Sequence, residues 1–424
     1  MPRVLLVAET TGYQIRSFVG AADRLGVEIV LASDRCHVLE DPWRDQAIPI
    51  TFRDETEAVQ SIRRALADRP TSGVVAVGDH PALIAALAAE ALWLSGNPPD
   101  AVRIAGNKLL TRRRLRDAEL PCPWFTFVGL EESAQAVAER VSFPCVVKPL
   151  SMSASRGVVR ADTPEELDAA MTRSRQLLRL PNVQALRDPA ALAILVEKYL
   201  PGREVALEGL LTKGALQTLA VFDKPDPLEG PFFEETIYVT PAAGTEAEVR
   251  RYSEAVAQAA AAIGLTDGPI HAECRVGDDA VFVLEVAPRP IGGLCSRVLR
   301  FTEANDEMAS LEEVLLRHAL TESVAQYRRE TLAAGVMMIP IPEDGRYKGV
   351  DGLERARAVD HVEEIVITAK RDQRIQPLPE GGSYLGFIFA RADTPDGVVS
   401  ALRAAHSRLT FDIAAPIPIL RPET

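Results

Sequence analysis

Residues 268–293 read Gly268-Pro-Ile-His-Ala-Glu-Cys-Arg-Val-Gly-Asp-Asp-Ala-Val-Phe-Val-Leu-Glu-Val-Ala-Pro-Arg-Pro-Ile-Gly-Gly293. Two runs within this stretch, His271–Val276 and Val281–Val286, are rich in apolar and β-branched residues and flank a short polar turn. The pattern predicts an antiparallel β-hairpin. A three-residue loop centred on Asp279 would place Glu273 opposite Glu285, whereas a two-residue loop would displace the pairing by one residue.

The predicted pairing of Glu273 with Glu285 needs a physical reason, because like charges directly opposite each other destabilise a sheet. A divalent cation between the two carboxylates would reverse this effect, and hard oxygen ligands suit Mg²⁺ or Mn²⁺. The alternative is that the two Glu side chains are unrelated and face solvent. The apolar residues Phe282, Leu284 and Val286 indicate a largely buried strand, which favours metal binding by Glu273 and Glu285.

The first hundred residues predict a parallel α/β domain, because apolar strands alternate with helices. The strands are predicted at 3–9, 27–32, 47–51 and 74–78, and the helices at 11–26 and 55–68. The first turn between strand and helix lacks the GxGxxG pattern, so nothing in it indicates a dinucleotide site.

Asp79 and His80 directly follow the strand at 74–78. The carboxyl edge of such a sheet is where ligands usually bind, so these two residues are candidates for substrate contact. The competing interpretation is that Asp79 caps a helix.

Beyond residue 330 the pattern changes to a small α+β module. Its strands are predicted at 335–340, 362–369 and 384–391, and its helices at 351–358 and 396–409. We therefore expect domains at 1–100, 101–330 and 331–424.

The composition excludes several classes of protein. A net charge of −13 argues against a nucleic-acid-binding surface. The chain has no apolar run of the length that a membrane span requires, and its apolar N-terminal run is too short for a signal peptide. Five scattered cysteines without a secretory signal indicate reduced thiols and a cytoplasmic protein. Lysine is rare, with seven among 47 basic residues, so each lysine is worth inspecting.

Lys148 lies near the end of an apolar strand, Phe143-Pro-Cys-Val-Val-Lys-Pro149. A buried lysine needs a partner, and either a phosphate oxygen or a nearby Glu would serve. The segment that follows, Ser151–Gly157, has the small residues, hydroxyls and backbone N–H groups that a phosphate-covering loop requires.

Two further groups of residues could contact a ligand. Glu197 and Glu204 flank a strand-to-turn segment that could hold a flat base, although an ordinary turn with exposed charges would look the same. Arg289 follows Glu285 by four residues and could neutralise charge in a transition state, or it could pair with Glu285. Gly292 and Gly293 would allow close approach of a ligand to the backbone, or form a simple turn.

Taken in order over roughly residues 100–300, these motifs resemble the ATP-grasp superfamily. The resemblance implies an ATP site between two α+β lobes, about 101–190 and 191–330. Phosphate contacts would come from Lys108, Lys148 and the loop residues Ser153, Ser155 and Gly157. Adenine would lie against Lys148 and the linker Glu197-Lys198-Tyr199-Leu200, and Glu204 would bind the ribose. Glu273 and Glu285 would bind Mg²⁺ or Mn²⁺, and Arg289 would stabilise an acyl phosphate, with Lys148 as the second catalytic residue.

Within that superfamily the chain resembles the L-amino-acid ligases most. The similarity rests on His271-Ala-Glu273, the run Arg289-Pro-Ile-Gly-Gly293, the loop Pro231-Phe-Phe-Glu-Glu235 and the C-terminal Tyr384-Leu-Gly-Phe-Ile-Phe-Ala-Arg391. It implies substrate contacts by His271, Glu234, Glu235, Arg289, Gly292 and Gly293. Many ATP-grasp enzymes have Asn two residues after the second metal-binding Glu, where this chain has Ala287.

The resemblance implies an ATP-dependent carboxylate–amine ligase that makes an amide, in the first place a dipeptide, through an acyl phosphate. Its partners would be small carboxylates and amines, with no nucleic acid or membrane, and a homodimer is the default oligomeric state. The alternatives are a carboxylase or carbamoyl-transferring enzyme similar to biotin carboxylase, and an ATP-binding protein without catalytic activity. The substrates themselves are not indicated by any motif.

Overall fold

The computed structural model describes residues 1–9, 14–34, 47–185, 187–277, 279–303 and 307–415. The N-terminal domain is a four-stranded parallel sheet in the order β3-β2-β1-β4, as predicted. Its strands are β1 Arg3–Ala8, β2 Glu28–Ser33, β3 Ile48–Pro49 and β4 Gly73–Val77, and its helices are α1 Ile15–Leu25, α2 Glu55–Ala65 and α3 Asp79–Ala91.

The first lobe of the central region packs helices on a four-stranded antiparallel sheet in the order β5-β8-β6-β7. The helices α4 Pro99–Ala105 and α5 Lys108–Asp117 precede it. The strands are β5 Phe125–Gly129, β6 Cys145–Pro149, β7 Val159–Ala161 and β8 Ala193–Lys198, and the helices are α6 Ala134–Ala138, α7 Pro164–Leu178, α8 Pro181–Gln184 and a 3₁₀ turn at Pro189–Leu192.

The second lobe contains the predicted hairpin and a long helix. Its elements are β9 Arg203–Thr212, β10 Ala215–Asp223, β11 Ile237–Thr240, α9 Glu246–Ile263, β12 Gly268–Val276 and β13 Val281–Ala287. A 3₁₀ turn at Cys295–Val298 and a small sheet follow, with β14 Arg300–Thr302, β15 Met308–Ser310, α10 Leu311–Ala319 and β16 Arg328–Arg329.

The C-terminal module continues the sheet of the second lobe. Its elements are β17 Ala333–Ile339, β18 Gly345–Asp351, α11 Leu353–Arg357, β19 Val362–Ile367, β20 Arg374–Ile375, β21 Gly386–Ala392, α12 Pro395–His406 and β22 Thr410–Ala414. Because β11 pairs with β17, one eight-stranded sheet runs in the order β13-β12-β9-β10-β11-β17-β21-β19. Strands of the second lobe and of the C-terminal module therefore belong to one continuous sheet.

The long helix α9 shows why the alanine-rich segment is helical. Thr245 and Glu248 form a reciprocal capping box that satisfies the first backbone N–H groups. Gly264 ends the helix in the left-handed conformation at φ 95°. Apolar residues such as Tyr252 and Val256 are buried against the hairpin strand β13. Helix α9 thus packs against β13 in the core, while Leu284 and Glu285 of the same strand line the cavity described below.

The hairpin pairs Glu273 with Glu285, as predicted, but through a different geometry. Val276 pairs with Val281, so the strands start in the displaced register. The register then shifts at Leu284, which restores the pairing of the two Glu residues.

Among the described residues, no helix combines the length and apolar character that crossing a membrane requires. Cys122, Cys145, Cys274 and Cys295 are free thiols, and Cys36 lies outside the described residues.

Candidate active site

A cavity of about 360 Å³ lies where the N-terminal domain, both lobes and the C-terminal strands meet. It collects nearly all of the residues that the sequence singled out. The predicted residues that line it are Lys108, Lys148, Ser153, Ser155, Glu197, Lys198, Tyr199, Leu200, Glu204, Glu235, His271, Glu273, Glu285, Arg289, Gly292 and Gly293. Gly157 and Glu234 do not line it.

Lys148 is held by Glu197 inside the first lobe. Its ammonium group donates a hydrogen bond to Glu197, and Arg112 Nε donates to the other oxygen of the same carboxylate at 2.8 Å. Burial alone would raise the pKa of Glu197, but Arg112 and Lys148 outweigh it and lower that pKa to about 2. The Lys148 ammonium group therefore has a carboxylate partner, and Lys148 also lines the cavity.

Arg112 was missed by sequence reasoning, although it connects two parts of the site. It is completely buried on α5, whose first turn is capped by Asn107. Its Nη1 atom donates to the carbonyl oxygen of Leu284 at 2.9 Å, at the register shift beside Glu285. Arg112 thus connects Glu197 to β13, the strand that contains Glu285.

The Ser151–Gly157 loop, predicted to cover phosphates, contacts Lys108 and Asp188. Lys108 Nζ donates to the Met152 carbonyl at 2.5 Å and lies 3.6 Å from Glu285. Ser151 Oγ donates to Asp188 at 2.6 Å. Gly157 has φ 74°, and a Cβ at this position would collide with Pro149 and Leu177. The loop therefore ends at a position that requires glycine, and Gly157 shapes it without lining the cavity.

The linker after β8 forms the wall next to Lys148. The backbone N–H groups of Lys198 and Tyr199 donate to the carbonyls of Trp124 and Pro144 at 3.0 and 3.1 Å. The Arg160 guanidinium stacks 4.1 Å from the centre of the Tyr199 ring. These contacts hold the linker in one conformation and leave an apolar surface at Tyr199 and Leu200.

Lys224 lies at the centre of an acidic cluster that the sequence did not reveal. It is buried at the end of β10 and donates to Glu204 at 2.6 Å, to Glu273 at 3.1 Å and to Glu235. Burial would lower the pKa of Lys224, but the three carboxylates raise it well above its ordinary value. The rarity of lysine was the one signal that could have drawn attention to this residue.

Oxygen atoms of Glu204, Glu235 and Glu273 lie within 4.8 Å of one another. Burial and the neighbouring Glu273 raise the pKa of Glu235 to about 7. This all-oxygen donor set fits Mg²⁺ or Mn²⁺. Glu235 supplies a further carboxylate near Glu273. Ala287, in contrast, has no side-chain atom that could bind a metal.

The two predicted metal ligands are each next to a lysine. Lys224 contacts Glu273, and Lys108 lies 3.6 Å from Glu285. The lysines place positive charge beside the paired carboxylates, which reduces the repulsion between them. The residues present therefore fit a divalent cation bound between Glu273, Glu285 and an anionic ligand.

His271 is fixed by Glu208, a third buried residue that the sequence analysis missed, after Arg112 and Lys224. Its Nδ1 atom hydrogen bonds to Glu208, whose other oxygen accepts from the Ile291 backbone N–H at 3.2 Å. Burial would lower the pKa of His271, but Glu208 outweighs it and raises the pKa to about 9. Glu208 therefore connects His271 to the loop that contains Arg289, Gly292 and Gly293.

Arg289 pairs with Asp79 of the N-terminal domain, and not with Glu285. Arg289 Nε donates to Asp79 Oδ1 at 2.6 Å. Gly78 occupies the N-cap of α3 and Asp79 is the first helical residue, so the interpretation of Asp79 as the cap was wrong. Asp79 lines the cavity, whereas His80 is half-exposed and pairs with Glu9.

Part of the cavity lining is apolar. Met338, Tyr384 and Phe387 of the C-terminal module form one wall, next to Ile291 and Cys295. The rings of Tyr384 and Phe387 meet edge to face at 6.3 Å. The lining of the cavity thus combines lysines, a carboxylate pair, the Arg289–Asp79 pair and a group of apolar side chains.

Three protein-family models match the chain. They are the ATP-grasp N-terminal domain at residues 19–96, the ATP-grasp domain at 141–298 and the L-amino acid ligase C-terminal domain 2 at 337–414. These matches confirm the predicted fold class, a parallel α/β domain followed by an ATP-grasp domain and a small α+β module.

Two solved structures show that this fold occurs in related proteins. An L-amino acid ligase from Bacillus licheniformis superposes with a TM-score of 0.83 and 26% identity, covering 97% of this chain and 99% of that one. A biotin carboxylase from Campylobacter jejuni superposes with a TM-score of 0.66 and 14% identity, over 97% and 92% of the two chains, which shows a shared fold alone.

The ATP-grasp enzyme fsqD of Aspergillus fumigatus is 25% identical over 334 residues. That match covers 68% of this chain and 55% of the fungal protein, so the chain spans about half the length of this relative. Together the comparisons confirm the predicted resemblance to ATP-grasp ligases.

Proposed function

We propose that this chain, an ATP-grasp enzyme that resembles L-amino-acid ligases, joins a carboxylate to an amine at the expense of ATP. A carboxylate oxygen attacks the γ-phosphorus and displaces ADP, which gives an acyl phosphate. The amine then attacks the acyl carbon, phosphate leaves with the former carboxylate oxygen, and the nitrogen loses a proton. The observation that carries this proposal is that Arg289, held by Asp79, lines the same cavity as the paired Glu273 and Glu285 and the apolar residues Met338 and Phe387.

The cationic end of the cavity suits a nucleotide. Lys108 and Lys148 would contact phosphates under the Ser151–Gly157 loop, where Ser153 and Ser155 offer hydroxyl groups. The linker surface at Tyr199 and Leu200 would hold adenine beside Lys198, and Glu204 would bind the ribose. A metal ion held by Glu273 and Glu285, with Glu235 nearby, would neutralise phosphate charge.

The region between Arg289 and the apolar wall suits the two organic substrates. Arg289 would neutralise charge on the acyl phosphate, since its guanidinium is fixed by Asp79. Asp79 and Glu235 are carboxylates that could accept hydrogen bonds from an ammonium group. The wall of Met338, Tyr384 and Phe387 favours an amino acid with an apolar side chain. His271, Gly292 and Gly293 complete this part of the cavity, and Glu234 lies next to Glu235 outside it.

The fold shared with biotin carboxylase supports a second candidate, ATP-dependent carboxylation. Bicarbonate would replace the organic carboxylate in the first step, and the acceptor nitrogen would attack carboxyphosphate. The apolar wall favours the first candidate, because bicarbonate has no group to contact it.

The direct test is incubation with ATP, Mg²⁺ and pairs of amino acids, with ADP and dipeptides detected by mass spectrometry. We expect equal amounts of ADP, phosphate and dipeptide for at least one pair containing an apolar amino acid. ADP release that depends on bicarbonate and needs no amino acid would identify the carboxylase instead. Nucleotide binding without turnover in a broad panel of carboxylates and amines would contradict both candidates.

A further inference from the structure

One segment of the C-terminal module extends from its own sheets to the first lobe. This segment, named here the strap, comprises residues 376–384 and reads Gln376-Pro-Leu-Pro-Glu-Gly-Gly-Ser-Tyr384. It is fixed at both ends, because Ile375 pairs with Gly345 in one sheet and Gly386 pairs with Ile339 in the other. Its prolines and glycines disfavour regular secondary structure, so the segment is free to follow the surface of the first lobe.

The middle of the strap holds the phosphate-covering loop. The Gly157 backbone N–H donates to the Pro379 carbonyl at 2.9 Å, and Arg156 Nε donates to the Glu380 carbonyl at 2.9 Å. Arg173 on α7 donates from Nε to the Glu380 carboxylate at 2.6 Å. The strap therefore contacts both the end of the loop and the helix that packs beneath it.

The last residue of the strap reaches the cavity itself. Tyr384 lines the apolar wall and packs against Phe387, which belongs to β21. The Leu385 backbone N–H donates to the Ile339 carbonyl at 2.9 Å, which fixes the strap next to Met338 of the same wall. One continuous segment thus contacts the loop over the proposed phosphate site and the wall of the proposed amino-acid site.

We propose that the strap holds the Ser151–Gly157 loop closed and couples this closure to the amino-acid end of the cavity. This inference rests on the proposed function for the identity of the ligands. Closure matters because an acyl phosphate is destroyed by water unless the site is sealed before the amine attacks. Arg156 and Gly381 are then positioning residues, since they act on the reaction through the loop and the strap.

Gly381 provides a sharp way to displace the strap. Its backbone N–H donates to the Pro377 carbonyl at 2.9 Å, and a Cβ at this position would overlap the Gln376 carbonyl oxygen. Gly381→Ala therefore forces the strap to move without removing any group that contacts the loop. Gly349→Ala is the matched control, because a Cβ at Gly349 of the same module has no heavy atom within 4 Å.

Steady-state kinetics test the coupling. Gly381→Ala and Arg156→Ala should each raise KM for ATP about 3- to 10-fold, the effect of losing one or two hydrogen bonds. Both should also raise the ratio of ADP to amide product, because an unsealed acyl phosphate is hydrolysed. Gly349→Ala, and Arg179→Ala at an exposed ion pair of the first lobe, should match the wild type. Unchanged KM and unchanged ratios in both strap variants would overturn the proposal.

Limited trypsin digestion is a second test of the strap, and it does not require ligase activity. The Arg156–Gly157 bond is a trypsin site whose N–H is held by Pro379. With MgADP bound, cleavage of this bond should be at least severalfold faster in Gly381→Ala than in the wild type and in Gly349→Ala. Equal rates of cleavage in well-folded Gly381→Ala and wild-type protein would overturn the proposed role of the strap. If cleavage is faster in Gly381→Ala but the wild-type protein forms no amide, the role of the strap is supported and the proposed function is refuted.

If Gly381→Ala lowers Tm strongly, its cleavage will rise along the whole chain. The KM of Arg156→Ala then decides, since that variant leaves the strap backbone unchanged. An unchanged KM for ATP in Arg156→Ala would overturn the proposal in that case.

Discussion

Arg289 and Asp79 form a bidentate ion pair that connects the loop after β13 to the first turn of α3. Arg289 Nε lies 2.6 Å from Asp79 Oδ1, and Nη2 lies 3.4 Å from Asp79 Oδ2. Burial would raise the pKa of Asp79, but Arg289 outweighs it and lowers that pKa, so the carboxylate stays ionised. The N-terminal domain therefore fixes the guanidinium group that we assign to the acyl phosphate.

Replacement of Asp79 tests this assignment. Asp79→Asn keeps the shape but removes the charge that fixes Arg289, so we expect kcat to fall by about tenfold or more. The matched control is Asp54→Asn at the cap of α2, where the side chain accepts from Glu57 and Asn can do the same. Stopped-assay rates of ADP formation check both variants. An Asp79→Asn enzyme with wild-type kcat would contradict the role of this pair.

Arg112 should contribute strongly to stability. Arg112→Ala leaves Glu197 buried with Lys148 as its remaining partner, and breaking such a pair costs about 3–5 kcal/mol. Urea unfolding followed by circular dichroism measures the free energy of unfolding. Arg114→Ala, an exposed residue on the same helix, should change that free energy by less than about 0.5 kcal/mol. If Arg112→Ala lowered the free energy of unfolding as little as Arg114→Ala does, the buried network would contribute little to stability.

A divalent cation should compensate for the stability that is lost when Lys224 is replaced. Lys224→Met leaves Glu204, Glu235 and Glu273 close together without the lysine that they share, so Tm should fall in EDTA. Added Mg²⁺ should raise the Tm of this variant more than that of the wild type, because binding to the folded state alone stabilises it. Lys370→Met, at an exposed position, serves as the control. Equal Mg²⁺ shifts in all three proteins would argue against a metal at this cluster.

The His271–Glu208 pair predicts a loss of stability at alkaline pH in metal-free protein. The pKa of His271 is raised from its ordinary 6.5 to about 9. A raised pKa means that the pair stabilises the fold fully below about pH 6.5, and that this stability is lost as the pH rises through 9. Glu208→Gln should flatten the dependence of the unfolding free energy between these values. A wild-type slope in Glu208→Gln, measured by urea unfolding at several pH values, would contradict the assignment.

The sequence predicted the pairing of Glu273 with Glu285 but not its geometry. Alternation of apolar residues determines which strands pair, and it contains no information about a register shift. At the shift, the Leu284 carbonyl accepts a hydrogen bond from Arg112 of α5, which lies 172 residues away in sequence. The prediction therefore gave the right pair from a loop geometry that the structure does not have.

Contacts between residues that lie far apart in sequence could not be predicted. Lys224 meets Glu273 across 49 residues of sequence, and Arg289 meets Asp79 across 210. Motifs with local spacing, such as the Lys148 strand and the Ser151–Gly157 loop, could be recognised because their parts are adjacent in sequence. The contacts between domains became visible when the fold brought β4, β10 and β13 to one cavity.

Oxygen-isotope transfer tests the proposed acyl phosphate most directly. The carboxylate substrate is labelled with ¹⁸O, and the phosphate released during amide formation is analysed by mass spectrometry. The proposed reaction predicts ADP and phosphate that carries one ¹⁸O atom per amide bond formed. Unlabelled phosphate, or AMP and pyrophosphate in place of ADP and phosphate, would contradict it.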